Sequence, residues 1–302
     1  MFIILIHLIY LRIHIFLWAF ILLANTAVFS QKTQRYTHVA GVNLFKGFIY
    51  QHSSKIGNLI GQHPVGAEIY FNRVTNGLKD WESVNNYPVV GYSIGYYDYR
   101  NEVLGQTIST LIHIQYSLLK HRKPHNLKIH IGTGLGFNTH PYNHDNNNKN
   151  TVLGSVVTIS LQGRFIYTYS ISKWQFSVAP NLTHFSNGSL KQPNKGVNIF
   201  TLHAGISRTI GKDIDFSNEN ATIEFDPGLK VNLALYTGIK SNDEGGGSFP
   251  FVTLHSTVSK QFTSQSGVHT GLELFYSLAL KEKIEKIGLK AHVPSRLEKI
   301  KL

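Results

Sequence analysis

The chain has 302 residues, enough for one or two ordinary domains, and only 15% of them are charged, where soluble proteins average about a quarter. That shortage argues against a surface that faces water alone. A formal charge of +12 invites nucleic acid as a partner, but the Lys and Arg residues are scattered through turns and loops, so an anionic surface fits better and no nucleic acid is expected. No cysteine is present, so an exported form would need a hydrogen-bonded scaffold that is stable without disulfides.

Residues 1–30 hold a mostly apolar run from Ile13 to Ala24 behind Arg12, then Val28 and Ser30 at the minus-three and minus-one positions before Gln31. This reads as a secretory signal peptide. The alternative is an N-terminal membrane anchor, because the apolar stretch reaches back to Phe2.

Beyond residue 31 the hydrophobic period changes to two. Residues 126–138 set Leu127, Ile129, Ile131, Leu135 and Phe137 against Lys128, His130, Gly132, Gly134 and Gly136. Residues 153–169 set Val157, Ile159, Leu161, Phe165, Tyr167 and Tyr169 against Thr158, Ser160, Gln162 and Arg164, and residues 229–236 set Leu229, Val231, Leu233 and Leu235 against Lys230, Asn232, Ala234 and Tyr236. Eleven such strands are readable, at 39–53, 64–74, 89–98, 105–120, 126–138, 153–170, 173–186, 195–210, 226–239, 248–263 and 266–279. A soluble sandwich or lipocalin-like barrel also alternates, but its strands average about five or six residues. The expected fold is therefore all-β, an antiparallel transmembrane β-barrel over residues 31–280. Even parity implies about twelve strands for the eleven counted. Long connections after strands 5, 7 and 9 and short ones after strands 4, 6 and 10 fit extracellular loops and periplasmic turns, while those after strands 2 and 3 do not. Residues 281–302, rich in Lys and Glu, read as a polar tail or a truncated extracellular loop.

Strand 7 sets Trp174, Phe176, Val178 and Leu182 on its apolar face, and continuing by twos adds His184 and Ser186 to that face. A hairpin symmetric about Lys191 places His184 opposite Asn198, the polar member of the apolar face of strand 8 (Phe200, Leu202, Ala204, Ile206). Ser186, His184 and Asn198 then form a polar row on an apolar wall. In a chemical reading His184 takes the proton of Ser186 during attack on an ester carbonyl, while Asn198 fixes the imidazole tautomer. The bland alternative is a strand end at the membrane interface, where polar residues cost little.

The stretch His184-Phe185-Ser186-Asn187-Gly188, followed by Pro193-Asn194-Lys195-Gly196, resembles the catalytic hairpin of the PagL family of lipid A 3-O-deacylases, written His-x-Ser-Asn with a later Pro-Asn-x-Gly. The resemblance implies His184 as general base, Ser186 as nucleophile and Asn194 as an aid to the oxyanion. Two positions depart from the family. Where its characterised members carry Glu, fourteen residues after the His, this chain has Asn198, which can orient an imidazole but stabilises imidazolium less. The family also resembles eight-stranded barrels, and this longer chain looks closest to a branch labelled acyloxyacyl hydrolase.

The implied function is an outer-membrane serine esterase acting on lipid A of lipopolysaccharide, with outer-membrane lipids as its surroundings and no cofactor. The alternative is a non-catalytic barrel, either a narrow pore or a degenerate relative that binds lipopolysaccharide; a crowded lumen would favour the esterase. The oligomeric state is left open. Gly132, Gly134 and Gly136 alternate within a strand and are not a phosphate loop. His140, His144 and Asp145 fall in a solvated Asn-rich loop, with no metal site expected. His113, His130 and His203 read as barrel-wall or lumen residues.

Overall fold

Eight long strands with one apolar and one polar face can bury the polar face only by curling it inward, and the computed structural model closes them into a barrel. The strands are β1 (Thr37–Ile49), β2 (Val65–Val74), β3 (Val89–Asp98), β4 (Gln106–Ser117), β5 (His125–Asn138), β6 (Val157–Ile171), β7 (Trp174–Ser186) and β8 (Val197–Ile210). Each pairs antiparallel with the next, and β1 closes on β8 from His38↔Ile210 to Ile49↔Ile199. The structure describes residues 36–119, 124–211, 216, 226–242, 247–263, 266–286 and 300–301. The chain divides into two units, Met1–Tyr36 and Thr37–Leu302, and all of the described structure except Tyr36 belongs to the second. The signal peptide expected over residues 1–30 lies outside the described residues.

The wall is inverted relative to a water-soluble protein. Leu44, Ile69, Tyr92, Ile112, Ile131, Phe165 and Leu202 are exposed on the outside, while Asn43, Glu68, Asn72, His113, His130, Arg164, Asn181 and His203 are buried in the lumen. Apolar outside and polar inside is the pattern of a membrane barrel, whose lipid solvates the outer face. The alternations read in residues 126–138 and 153–169 fall on these two faces as expected, and the three histidines are lumen residues.

The lumen is filled. At mid-height Arg164 makes a bidentate pair with Glu68 (Nη1–Oε2 2.8 Å, Nη2–Oε1 3.1 Å) and also donates to Asn181 and Gln162, while Asn43 donates to Glu68 at 2.7 Å. Above this network an apolar plug of Phe45, Ile49, Tyr97, Phe185, Val197 and Ile199 from the strands meets Ile56 and Leu59, Leu104, and Val152 and Leu153 from three loops. Each such side chain, fully buried, contributes roughly 1.5–3 kcal/mol. Below the network lies a cavity of about 280 Å³.

The single barrel over residues 31–280 is corrected in its extent. All eleven expected strands form, but β9 (Leu229–Ser241), β10 (Ser248–Gln261) and β11 (Gly267–Ser277) build a separate sheet, to which the short β12 (Ile300–Lys301) adds in the order β12-β11-β10-β9. The parity problem disappears with closure at β8. The connection 75–88 that did not fit carries a helix, α1 (Asp80–Val84), and the connection 50–64 carries a 3-10 helix, Ser54–Leu59. The expected tail is also partly structured: α2 (Leu278–Lys286) follows β11 directly.

Candidate active site

His184 and Ser186 are both half-buried and lie on the outward face of β7, which also carries the exposed Trp174, Phe176, Val178 and Leu182. Between them Phe185 points inward into the plug and is fully buried, edge-on to Tyr97 at 5.3 Å. The alternation that anchors Phe185 therefore presents its two neighbours to the lipid side at the end of the strand.

The expected register is the observed one, with His184 opposite Asn198 across β7 and β8. Their side chains meet, Nδ1 of His184 lying 2.7 Å from Oδ1 of Asn198. An amide oxygen only accepts, so Nδ1 carries the proton and Nε2 is left with its lone pair, as a general base requires. Ser186 is held from its other side: its Oγ accepts from Nδ2 of Asn194 at 2.9 Å and from the backbone N–H of Gly188 at 3.2 Å. Both bonds are accepted, so the hydroxyl proton stays uncommitted. Among the described residues no hydrogen bond joins His184 to Ser186; such bonds often tighten only once substrate is engaged.

The loop between β7 and β8 is tied down around this group. Asn187 donates its backbone N–H to Oδ1 of Asn194 at 3.0 Å and its side chain to Ser155 Oγ and the Lys191 carbonyl. Asn194 N–H donates to Oε1 of Gln192 at 2.9 Å. Gly196 adopts φ +71°, and a Cβ there would come within 2.7 Å of His184 Cε1, so both backbone and space call for glycine.

The sequence missed His52. Closure of β1 on β8 continues past Ile49 through a bond from Tyr50 N–H to the Asn198 carbonyl at 2.8 Å, which brings His52 beside Asn198. Asn198 Nδ2 donates to His52 Nδ1 at 3.2 Å. In a twelve-stranded barrel β8 would neighbour β9, so no reading with that strand count could place His52 here.

Residues 65–207 match the family model of the lipid A 3-O-deacylases (PagL). Over that stretch the chain is PagL-like. Among solved structures it is similar to the crystal structure of the outer membrane enzyme PagL, at 18% identity and a TM-score of 0.39 over 55% of this chain and 97% of that one. It is also similar to Neisserial surface protein A, NspA, at 12% identity and a TM-score of 0.40 over 58% of this chain and 97% of that one. No curated protein matches. The PagL match covers His184, Ser186, Asn194 and Asn198 and leaves β9 to β12 outside it.

Proposed function

We propose that this chain is an outer-membrane serine esterase that removes an ester-linked acyl chain from lipid A. The family match supports lipid A deacylation, and the apolar outer wall supports a site reached sideways from the lipid leaflet. The observation that carries the reading is the outward-facing pair His184–Asn198 at 2.7 Å, beside a Ser186 held by Asn194 at 2.9 Å. A conducting pore does not fit a lumen crossed by the Glu68–Arg164 network and capped by an apolar plug.

In this mechanism Ser186 Oγ attacks the ester carbonyl carbon while His184 Nε2 takes the hydroxyl proton. The carbonyl oxygen becomes an oxyanion and draws donation from Asn194 Nδ2 and Gly188 N–H, which already converge on Oγ. Collapse breaks the bond from the acyl carbon to the ester's alkoxy oxygen, which leaves with the proton from His184. Water then attacks the acyl-enzyme, again losing its proton to His184, and the free fatty acid departs as Ser186 is regenerated. Asn198 accepts from Nδ1–H throughout and keeps Nε2 toward the reacting atoms.

The test is mass spectrometry of lipid A from cells expressing the intact protein or its Ser186→Ala variant. Loss of one acyl chain with the intact protein alone is the expected result. Unmodified lipid A in both, with the barrel correctly folded, would refute the esterase reading.

A further inference from the structure

We infer that His52 is a positioning residue for the proposed hydrolysis: it selects which end of the Asn198 amide faces His184. The inference rests on the esterase reading for its kinetic test but on hydrogen-bond logic for its geometry. The chain of constraints begins at a backbone carbonyl. His52 Nε2 lies 3.0 Å from the Lys195 carbonyl oxygen, which can only accept, so Nε2 carries the proton and Nδ1 of the neutral ring is a lone pair. That lone pair needs a donor, and Asn198 Nδ2 supplies it at 3.2 Å. The Tyr50 carbonyl, 3.4 Å from the same Nδ1, is beyond ordinary hydrogen-bond length and does not compete. With Nδ2 committed to His52, Oδ1 must face His184, where it accepts from Nδ1–H, so that the ring proton stays on Nδ1 and Nε2 keeps its lone pair.

Without His52 the amide has two nearly equivalent settings. Oδ1 can accept from His184 Nδ1–H, or Nδ2 can donate to a bare Nδ1 while the proton moves to Nε2. The second setting satisfies the same hydrogen bond and disables the base. A carboxylate at this place has no such ambiguity, because both of its ends accept. The departure at Asn198 therefore creates a need that His52 meets.

The test is a double-mutant comparison with His52→Ala and Asn198→Asp. One net hydrogen bond shifts such an equilibrium by roughly 3- to 10-fold. His52→Ala should therefore drop the competent setting from roughly 75–90% to about half of the population, lowering kcat about 1.5- to 2-fold with KM unchanged in the natural background and leaving kcat unchanged in the Asn198→Asp background. Equal losses in both backgrounds, or none in the first, would overturn the inference. A second readout needs no turnover: nitrogen-15 spectra of the His184 ring in detergent micelles should report an Nδ1–H tautomer, giving way to a mixture in His52→Ala. An unchanged tautomer refutes the positioning role, whereas a natural protein that leaves lipid A intact while the tautomer still shifts refutes only the esterase reading.

Discussion

Ile131 in β5 and Val231 in β9 hold equivalent places in the same period-two alternation, and both are exposed. What lies on the opposite face differs. Beside Ile131, His130 is buried, and Arg164 on the next strand is bonded into a network that reaches three other strands, β1, β2 and β7. Beside Val231, Lys230 and Asn232 are exposed as well, and β9 pairs with β10 alone among the described residues. An apolar outer face is thus only half of what makes a membrane wall. The other half is closure, which pairs every strand edge and encloses the polar face.

If the chemistry belongs to the closed wall, the largest effects should follow from its outward polar row. Ser186→Ala and His184→Ala should each reduce fatty acid release by roughly three or more orders of magnitude, since members of such a unit act together. Val231→Ser on the open sheet should leave release within about twofold. Folding of each variant is checked by the mobility shift of unheated samples on gels. Activity retained in Ser186→Ala would move the nucleophile elsewhere.

The second contrast is in stability. Glu68→Ala strands the Arg164 guanidinium, only 4% exposed, in the lumen and should cost about 3–5 kcal/mol in denaturant unfolding from micelles. The corresponding pair on the open sheet, His255 and Glu273 at 3.7 Å, is more than a third exposed on both sides, so Glu273→Ala should cost about 1 kcal/mol or less. Similar costs at the two places would mean that the open sheet is as enclosed as the barrel.

The third separates positioning from charge. Asn198→Ala removes the acceptor from His184 Nδ1–H and should lower turnover roughly 100-fold, while Asn198→Glu should retain or raise it by placing a carboxylate beside the imidazolium. Loss of turnover in both variants, with folding intact, would show that the site requires the amide itself.

These contrasts mark what the sequence could and could not reveal. The eleven long strands were legible, because alternation is a local property of ten to fifteen residues, whereas the two-residue β12 is too short to show it; the facing of His184 and Ser186 follows from counting by twos. Register across the β7–β8 hairpin was legible because the apolar faces of both strands must fall on one side, which a hairpin symmetric about Lys191 satisfies with His184 opposite Asn198. Closure was not, since β1 against β8 and β8 against β9 are equally consistent with the alternation, and what distinguishes them is the fit of lumen side chains such as Glu68 and Arg164 that meet across the barrel. His52, brought to the site only by that closure, was hidden for the same reason.

The smallest expected effect lies where the two sheets meet. Ser241, the last residue of β9, is buried against the loop that carries Asn194: its N–H donates to the Ser189 carbonyl at 2.8 Å, and its carbonyl accepts from Gln192 Nε2 at 3.2 Å. Gln192 thus spans the junction, with Oε1 holding the backbone of Asn194 and Nε2 holding the end of β9. Yet Asn194 has a second restraint in the bond from Asn187 N–H, and Asn187 is itself anchored to Ser155 and Lys191 within the barrel. The open sheet should therefore tune Asn194, the proposed oxyanion donor, without being required for it. Gln192→Ala should lower kcat about 3- to 10-fold, the worth of one hydrogen bond of about 1 kcal/mol, with barrel stability little changed. Truncation after Gly211 should give no greater loss than that substitution. A far larger loss on truncation, with the barrel still folded, would mean that the second sheet contributes to catalysis by some route other than Gln192.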